Sequence, residues 1–294
     1  YWKPTTVFFI DSEIWPNMIE NLIKQKISIN LLNGRITKKT YKKWMTFPIL
    51  SKKIFSKFDL CLASSIESKK YLKNLGARNV KIFGNLKFSQ SENEEVFLKN
   101  RLKKFISSKK VWCASSTHES EEKICGEAHK ELKKKYKNLL TIIIPRHVDR
   151  AKKIEEELNK LNLKIHTHTP DKKINNQTDI YIVNTYGKTK SFYNICKNVF
   201  LGGSLINHGG QNPLEAARYG CNILHGPNTS NFKEIYQFLK KNNISIKVKN
   251  KNQIINYLNK LFSKKTNSYK IKKKLNLKGQ KILILTYKEI QKFI

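Results

Sequence analysis

The stretch Asn198-Val199-Phe200-Leu201-Gly202-Gly203-Ser204-Leu205-Ile206-Asn207-His208-Gly209-Gly210-Gln211-Asn212-Pro213-Leu214-Glu215 decides the fold. Its first four residues read as a buried strand, and Leu214-Glu215-Ala216-Ala217-Arg218-Tyr219 reads as the start of a helix. The two glycine pairs between them let the backbone come close to a ligand. Pro213 suits a first helical turn, whose unpaired N–H groups and dipole favour an anion. Glu215 stands one turn further in, placed to accept hydrogen bonds from hydroxyls such as those of a ribose. Strand, glycine-rich turn and helix in this order are the grammar of a nucleotide-sugar site. The same turn also occurs with no ligand.

Working outward, short apolar runs alternate with helical stretches along most of the chain. Strands are predicted at 7–10, 27–32, 59–63, 80–83, 110–114, 139–144, 163–166, 179–183, 198–201, 222–225 and 244–248. Helices fall between most of them, among them 17–25, 65–75, 118–136, 149–161, 189–196, 231–241 and 251–263. This βαβα rhythm predicts an α/β fold with parallel sheets covered on both faces. The polar segment 89–95 is the best boundary between two doubly wound domains. Residues 1–88 would form the later part of a first domain, and 89–294 a second domain with C-terminal helices. Ligands are expected at the carboxyl ends of the strands, in a cleft between the domains. Because the chain opens at Tyr1 and Val7-Phe8-Phe9-Ile10 already reads as a buried strand, an upstream part carrying an anchor or a catalytic residue is expected.

Composition narrows the function. The 294 residues carry 58 Lys and Arg against 22 Asp and Glu, a net charge of +36. Only six of the 58 are Arg, and the lysines sit among many Asn and Ile residues, a bias that an AT-rich genome produces by itself. No helix-turn-helix, zinc-finger or RNA-recognition pattern accompanies the charge, so nucleic acid is not the expected partner. Attraction to an anionic membrane surface or an anionic lipid fits better. The five cysteines are scattered, with no C-x-x-C pair, which fits small core residues in a reducing cytoplasm. No acidic pair of the D-x-D type stands ready for a metal.

Three further turns follow predicted strands. Ala114-Ser115-Ser116-Thr117-His118-Glu119 either caps the helix behind it or presents donors, Ser116 among them, to a phosphate or sugar. Ile142-Ile143-Ile144-Pro145-Arg146-His147 delivers Arg146 to the cleft, for a bidentate phosphate contact or an interdomain salt bridge, while His147 orients the turn. Asp11-Ser12-Glu13-Ile14-Trp15-Pro16-Asn17 opens a helix with carboxylates that either cap it or bind acceptor hydroxyls. Asn33-Gly34-Arg35 closes the next strand in the same way and would bring Arg35 to the same cleft.

Together these segments resemble the Kdo (3-deoxy-D-manno-octulosonic acid) transferases of Gram-negative bacteria. The matching pieces are D-S-E-I-W-P-N, L-N-G-R-I, G-N-L-K-F, A-S-S-T-H-E, I-P-R-H, G-G-S-L with H-G-G-Q-N-P-L-E-A, and G-P-N-T-S-N-F, all in order. The resemblance implies a GT-B glycosyltransferase that moves Kdo from CMP-Kdo to the lipid A precursor lipid IVA, at the cytoplasmic face of the inner membrane. It implies no cofactor beyond that co-substrate, and no metal. By the same resemblance, CMP contacts fall to Pro145, Arg146, Tyr186, Gly187, Lys188, Asn212, Pro213, Leu214 and Glu215. Gly202, Gly203 and Ser204 would line the donor pocket, with Asn85, Lys87 and Ser116 nearby, and Asp11, Glu13 and Arg35 would lie on the acceptor side. Asp11 stands where the family usually has Glu, Lys188 where it often has Glu, and Gln211 where it often has His. The family's proposed general base is a Glu upstream of Tyr1, so no catalytic base is assigned within this chain. The alternatives are a GT-B enzyme using a UDP-sugar, which shares the fold but not the pairing of I-P-R-H with A-S-S-T-H-E, and a basic nucleic-acid-binding protein.

Overall fold

The computed structural model describes residues 3–90, 98–169 and 173–294. The chain divides into two compact units, Tyr1–Ser91 with Asn276–Ile294, and Glu92–Leu275. Beyond Gln90, the expected boundary segment 89–95 lies outside the described residues.

The first unit holds a four-stranded sheet in the order β1 (Thr6–Ile10), β2 (Ser28–Gly34), β3 (Leu60–Ala63) and β4 (Val80–Ile82). All its pairings are parallel. Helices α1 (Pro16–Lys24), α2 (Lys38–Met45), α3 (Pro48–Phe55) and α4 (Ile66–Asn74) make the crossovers. Ile19, Leu22, Ile54, Phe55 and Leu72 of these helices pack on Ile29, Leu31 and Cys61 of the sheet. Every residue of β3 is buried, as a strand covered on both faces requires.

The second unit holds seven parallel strands in the order β11-β10-β9-β5-β6-β8-β7. The central pair is β5 (Lys110–Thr117) and β6 (Leu139–Pro145), with β7 (Ile165–Thr167) and β8 (Ile180–Ile182) to one side and β9 (Asn198–Leu201), β10 (Asn222–His225) and β11 (Ser245–Lys247) to the other. Around it run α5 (Asn100–Ser107), α6 (Glu121–Lys135), α7 (Ala151–Asn159), α8 (Thr189–Ile195), α9 (Leu214–Arg218), α10 (Lys233–Lys241) and α11 (Lys251–Phe262). All seven residues of β6 are buried, so Leu139-Leu140-Thr141-Ile142-Ile143-Ile144 reads as an unbroken apolar run rather than an alternating one. Helix α6 starts on Glu121 and Glu122 and ends on Lys133, Lys134 and Lys135, charges that oppose the helix dipole at both ends.

The last helix, α12 (Ser268–Ile290), contributes to both units. The expected division gave all of 89–294 to the second domain, but residues from Asn276 onward belong to the first. The reason lies in packing. Gly279 passes so close to the Phe88 carbonyl that a Cβ there would sit 2.4 Å from its oxygen. Glu289 pairs with Lys81 at 2.8 Å, and Ile290 and Phe293 cover Leu32, Leu60 and Leu62.

Candidate functional site at the carboxyl edges

In the second sheet the chain runs from β5 to β6, out to the edge strand β7 and back to β8 between them, then crosses to lay β9 on the other side of β5. The order therefore reverses between β5 and β9, the place where open α/β sheets bind ligands. The two loops that flank this point are 115–120 and 202–213.

One buried side chain holds these loops together. The Glu121 carboxylate is fully buried and accepts four backbone N–H bonds. Oε2 takes His118 (3.0 Å) and Gly203 (2.7 Å), and Oε1 takes Ser204 (3.1 Å) and Leu205 (2.9 Å). The need for Gly202 follows from the same contact. A Cβ there would lie 2.4 Å from the Ser116 carbonyl oxygen and 2.5 Å from the Thr117 Cα, so no larger residue fits without moving backbone. Ser204 is also fully buried, its hydroxyl donating to the Leu201 carbonyl (2.5 Å) and accepting from Gly226 (2.7 Å). The sequence assigns Gly202, Gly203 and Ser204 to the ligand. The structure shows their close approach made to the β5–α6 turn, with the Gly203 and Ser204 amides used by Glu121. Ser116, half-buried, sits there with φ +54, and Ser120, at the start of α6, has φ +73, both left-handed and outside the glycine class.

The exposed face of the site is strongly basic. Arg146 leaves β6 after Pro145, its amide bonded to the Thr117 carbonyl (3.0 Å) and its side chain exposed, with no acidic partner among the described residues. Arg150, one turn on, behaves differently. Its guanidinium makes bonds of 2.9 and 3.3 Å to the two oxygens of the fully buried Glu122. Three imidazoles gather beside these arginines. The His118 ring lies 4.2 Å from that of His208 and 6.0 Å from that of His147, and its Nε2 is 3.2 Å from Gln211 Nε2. Burial, followed by the His208, His147, Arg150 and Arg146 charges, lowers the His118 pKa to about 4.

That shift has a sign. An unfolded His titrates near 6.5, so between pH 6.5 and 4 the unfolded chain binds more protons, and stability falls as the pH drops through that window. His129 and His225, also lowered by burial, add in the same sense. Replacing His118 by Gln is expected to lessen the stability lost between pH 7 and pH 5 in urea unfolding. An unchanged loss would contradict the assignment.

On the far side of the Gly209-Gly210 turn, Asn212 Oδ1 accepts the Leu214 N–H at 3.1 Å and so caps α9. Pro213 and Leu214 are buried, Glu215 is half-buried in the first turn, and Asn212 is exposed. After β8, Tyr186, Gly187 and Lys188 form an exposed turn in which Gly187 has φ +76 and open space around it. The structure thus puts Arg146, the 186–188 turn and the 212–215 helix start in the loops that follow β6, β8 and β9, at the carboxyl edge of one sheet.

In the first unit the carboxyl edge carries a second cluster. Asp11 (φ +57) and Asn33 (φ +53) are both left-handed, and Asn33 Nδ2 donates to Asp11 Oδ1 at 2.5 Å. Asn33 Oδ1 accepts the Leu86 N–H (2.9 Å), Asn85 Oδ1 accepts the Lys87 N–H (2.9 Å), and Lys87 Nζ stands 3.5 Å from Asp11 Oδ2. Lys87, expected near the donor, is here a partner of Asp11 in the first unit. The Arg35 amide donates to the Asp11 carbonyl (2.9 Å), and Glu13 accepts from the Trp15 indole (3.1 Å). The capping alternative for this turn gains no support, since α1 has no side-chain cap.

From the sequence, Glu119 and Glu121 both read as carboxylates near the positive end of the helix. The bonds from Glu121 across to Gly203, Ser204 and Leu205 had no local signal, while Glu119 is exposed and pairs with Lys153 at 2.5 Å. All five cysteines are free and buried. Among the described residues no cluster of His, Cys, Asp or Glu could hold a metal ion, and no helix is long and apolar enough to cross a membrane.

Two parallel Rossmann-like sheets, the second with its switch point lined by an arginine, a glycine-rich turn and a capped helix start, define the GT-B class of α/β fold. Solved structures of that class superpose on the chain. The UDP-GlcNAc 2-epimerase of Neisseria meningitidis bound to UDP-GlcNAc covers 98% of this chain and 76% of its own, with a TM-score of 0.59 at 16% identity. The C-terminal CMP-Kdo binding domain of WaaA from Acinetobacter baumannii covers 61% of this chain and 91% of its own, with a TM-score of 0.53 at 24% identity. Sequence narrows the class. The family profile of 3-Deoxy-D-manno-octulosonic-acid transferase (kdotransferase) matches residues 1–90. The 3-deoxy-D-manno-octulosonic acid transferase of Aquifex aeolicus is 31% identical over 94% of this chain and 71% of its own length. The chain belongs to the 3-deoxy-D-manno-octulosonic acid transferase family. It spans 56% of the Haemophilus influenzae relative (28% identical over 81% of this chain) and 58% of the Rickettsia typhi one (31% over 92%).

Proposed function

We propose that the protein transfers Kdo from CMP-Kdo to a hydroxyl of the lipid A precursor, lipid IVA. The observation that carries this reading is Arg146, exposed beside the switch point with no acidic partner among the described residues. A guanidinium in that state matches an anionic leaving group. Arg150 beside it is already neutralised by Glu122. In the reaction the acceptor oxygen bonds to the anomeric carbon of Kdo as the bond from that carbon to the CMP phosphate breaks, and CMP leaves with the electron pair. Arg146 and the start of α9 would stabilise the charge that builds on the phosphate, and Glu215 and Asn212 would hold the ribose. On the first unit, Asp11 and Glu13, with Arg35 and Lys87, would orient acceptor hydroxyls and phosphates. The large exposed side chains at the same edge, Ile10, Trp15 and Ile66, suit an acceptor that carries acyl chains. The general base that removes the acceptor proton is not assigned to this chain. The place of work would be the cytoplasmic face of the inner membrane, with the net charge of +36 favouring anionic lipid.

The test is a transfer assay on the full reading frame with CMP-Kdo and lipid IVA. Labelled Kdo appearing on the lipid, and lost in Arg146→Ala, supports the reading; transfer from a UDP-sugar in place of CMP-Kdo overturns it.

A further inference from the structure

At the junction of α2 and α3 the first unit exposes four large apolar side chains within six residues: Met45 at 40%, Phe47 at 66%, Ile49 at 87% and Leu50 at 40%. The junction is a built turn. The Phe47 amide donates to the Trp44 carbonyl (3.1 Å), the Ser51 hydroxyl donates to the same carbonyl (2.6 Å), and the Thr46 hydroxyl donates to the Lys43 carbonyl (2.5 Å). Pro48 opens α3, and behind the tip the Trp44 ring meets Phe55 edge-on at 5.1 Å. Backbone and inner face are therefore satisfied while the apolar side chains point to solvent, an arrangement that a free protein gains nothing from.

The surroundings say what covers it. From Ile36 to Phe58 there is no Asp or Glu, and there are seven lysines. Lys53 pairs with Glu20 at 2.9 Å, whereas Lys38, Lys39, Lys42, Lys43 and Lys52 have no acidic partner among the described residues. A second copy seated on this tip would set lysines against lysines. The core of a protein interface is depleted in lysine. An anionic bilayer satisfies both halves: the apolar tip enters the boundary between headgroups and acyl chains, and the lysines stay at phosphate level with their stems laid along it.

We propose that the α2–α3 tip, Met45 to Leu50 with its flanking lysines, is the surface that seats the protein on an anionic bilayer. The proposal rests on the reading of a lipid-borne acceptor. It deepens that reading, because α2 begins only three residues after Arg35, which directly follows the strand that carries Asn33 to the acceptor-side edge.

Flotation with phosphatidylcholine vesicles, with and without about 30% phosphatidylglycerol, tests it on the chain itself, Phe47→Ser/Ile49→Ser and Lys42→Glu/Lys43→Glu. The wild type is expected to float with the anionic vesicles and not the neutral ones. Each double variant should lower its partition by about tenfold, and added salt should weaken it further. Calorimetric binding of CMP to both variants should be unchanged, showing that they are folded. The proposal is overturned if Phe47→Ser/Ile49→Ser floats like the wild type, if the wild type does not float, or if the tip variants abolish self-association in sedimentation velocity and leave flotation intact. Flotation that depends on the tip in a wild-type protein that binds no CMP would support the docking surface and remove the transferase reading instead.

Discussion

Glu121→Ala is expected to lower the melting temperature of the second unit by about 6–12 °C and to abolish CMP binding. The substitution leaves four backbone N–H groups of loops 115–120 and 202–213, three of them buried, without their acceptor. Each orphaned donor would cost about 1–3 kcal/mol if it stayed buried. Relaxation of the loops toward water recovers part of that, so a net loss of about 3 kcal/mol is the reasonable size. At about 2–4 °C per kcal/mol for a unit of this length the shift follows. Glu121→Gln should lie between Ala and the wild type, since its amide NH2 faces N–H donors that one oxygen cannot all satisfy. Because the relaxing loops are those that flank the switch point, binding should fail in protein that is still folded, which calorimetry below the melting temperature will show. A melting temperature within about 1 °C of the wild type, with CMP still bound, would mean that Glu121 does not organise the site.

Arg146→Ala is expected to weaken CMP binding by about 10- to 100-fold with no appreciable change in stability. An exposed guanidinium without a carboxylate partner contributes little to the fold. A charge-assisted bond to phosphate is worth about 1.5–3 kcal/mol, which at about 1.4 kcal/mol per decade gives the range. Arg146→Lys should recover part of the affinity through charge while losing the second, parallel bond. Arg150→Ala is the contrast. It strands the buried Glu122 carboxylate, so its main effect should be on stability, about 3–5 kcal/mol. If Arg150→Ala were the neutral change and Arg146→Ala the unfolding one, the assignment of the two arginines would be reversed.

All eleven strands among the described residues were legible in the sequence: most are short apolar runs bounded by polar residues, and the short edge strands β7 and β11 showed through the apolar residues beside them. Helices α2, α3 and α5 were not picked out. In Lys38-Lys39-Thr40-Tyr41-Lys42-Lys43-Trp44-Met45 the apolar positions amount to little more than Tyr41 and Trp44, which leaves a weak period against a lysine background. Tertiary packing decides there: Trp44 against Phe55, and Tyr41 stacked on Tyr71 at 4.4 Å.

The site was legible as loops and not as bonds. Strand ends followed by Gly, Pro, Arg or Asn marked where a ligand edge should be, and the 146, 186–188 and 212–215 loops all lie on it. What each residue bonds to depends on partners far apart in the chain, such as Glu121 with Leu205, 84 positions away, and local spacing carries no trace of that. The same holds for Lys87, whose partner Asp11 belongs to the opposite end of the first unit's sequence. The allotment of 276–294 failed for a similar reason, since a lysine-rich helix shows no preference for one sheet until Gly279, Ile282 and Glu289 are seen against theirs.

The central claim is that the second unit's switch point is built for a cytidine nucleotide. Calorimetric titration of the protein with CMP and with UDP, in the same buffer and salt, tests it most directly. The account predicts that CMP binds more tightly than UDP and that Arg146→Ala removes most of that binding. Tighter binding of UDP, or CMP binding indifferent to Arg146→Ala, would contradict it.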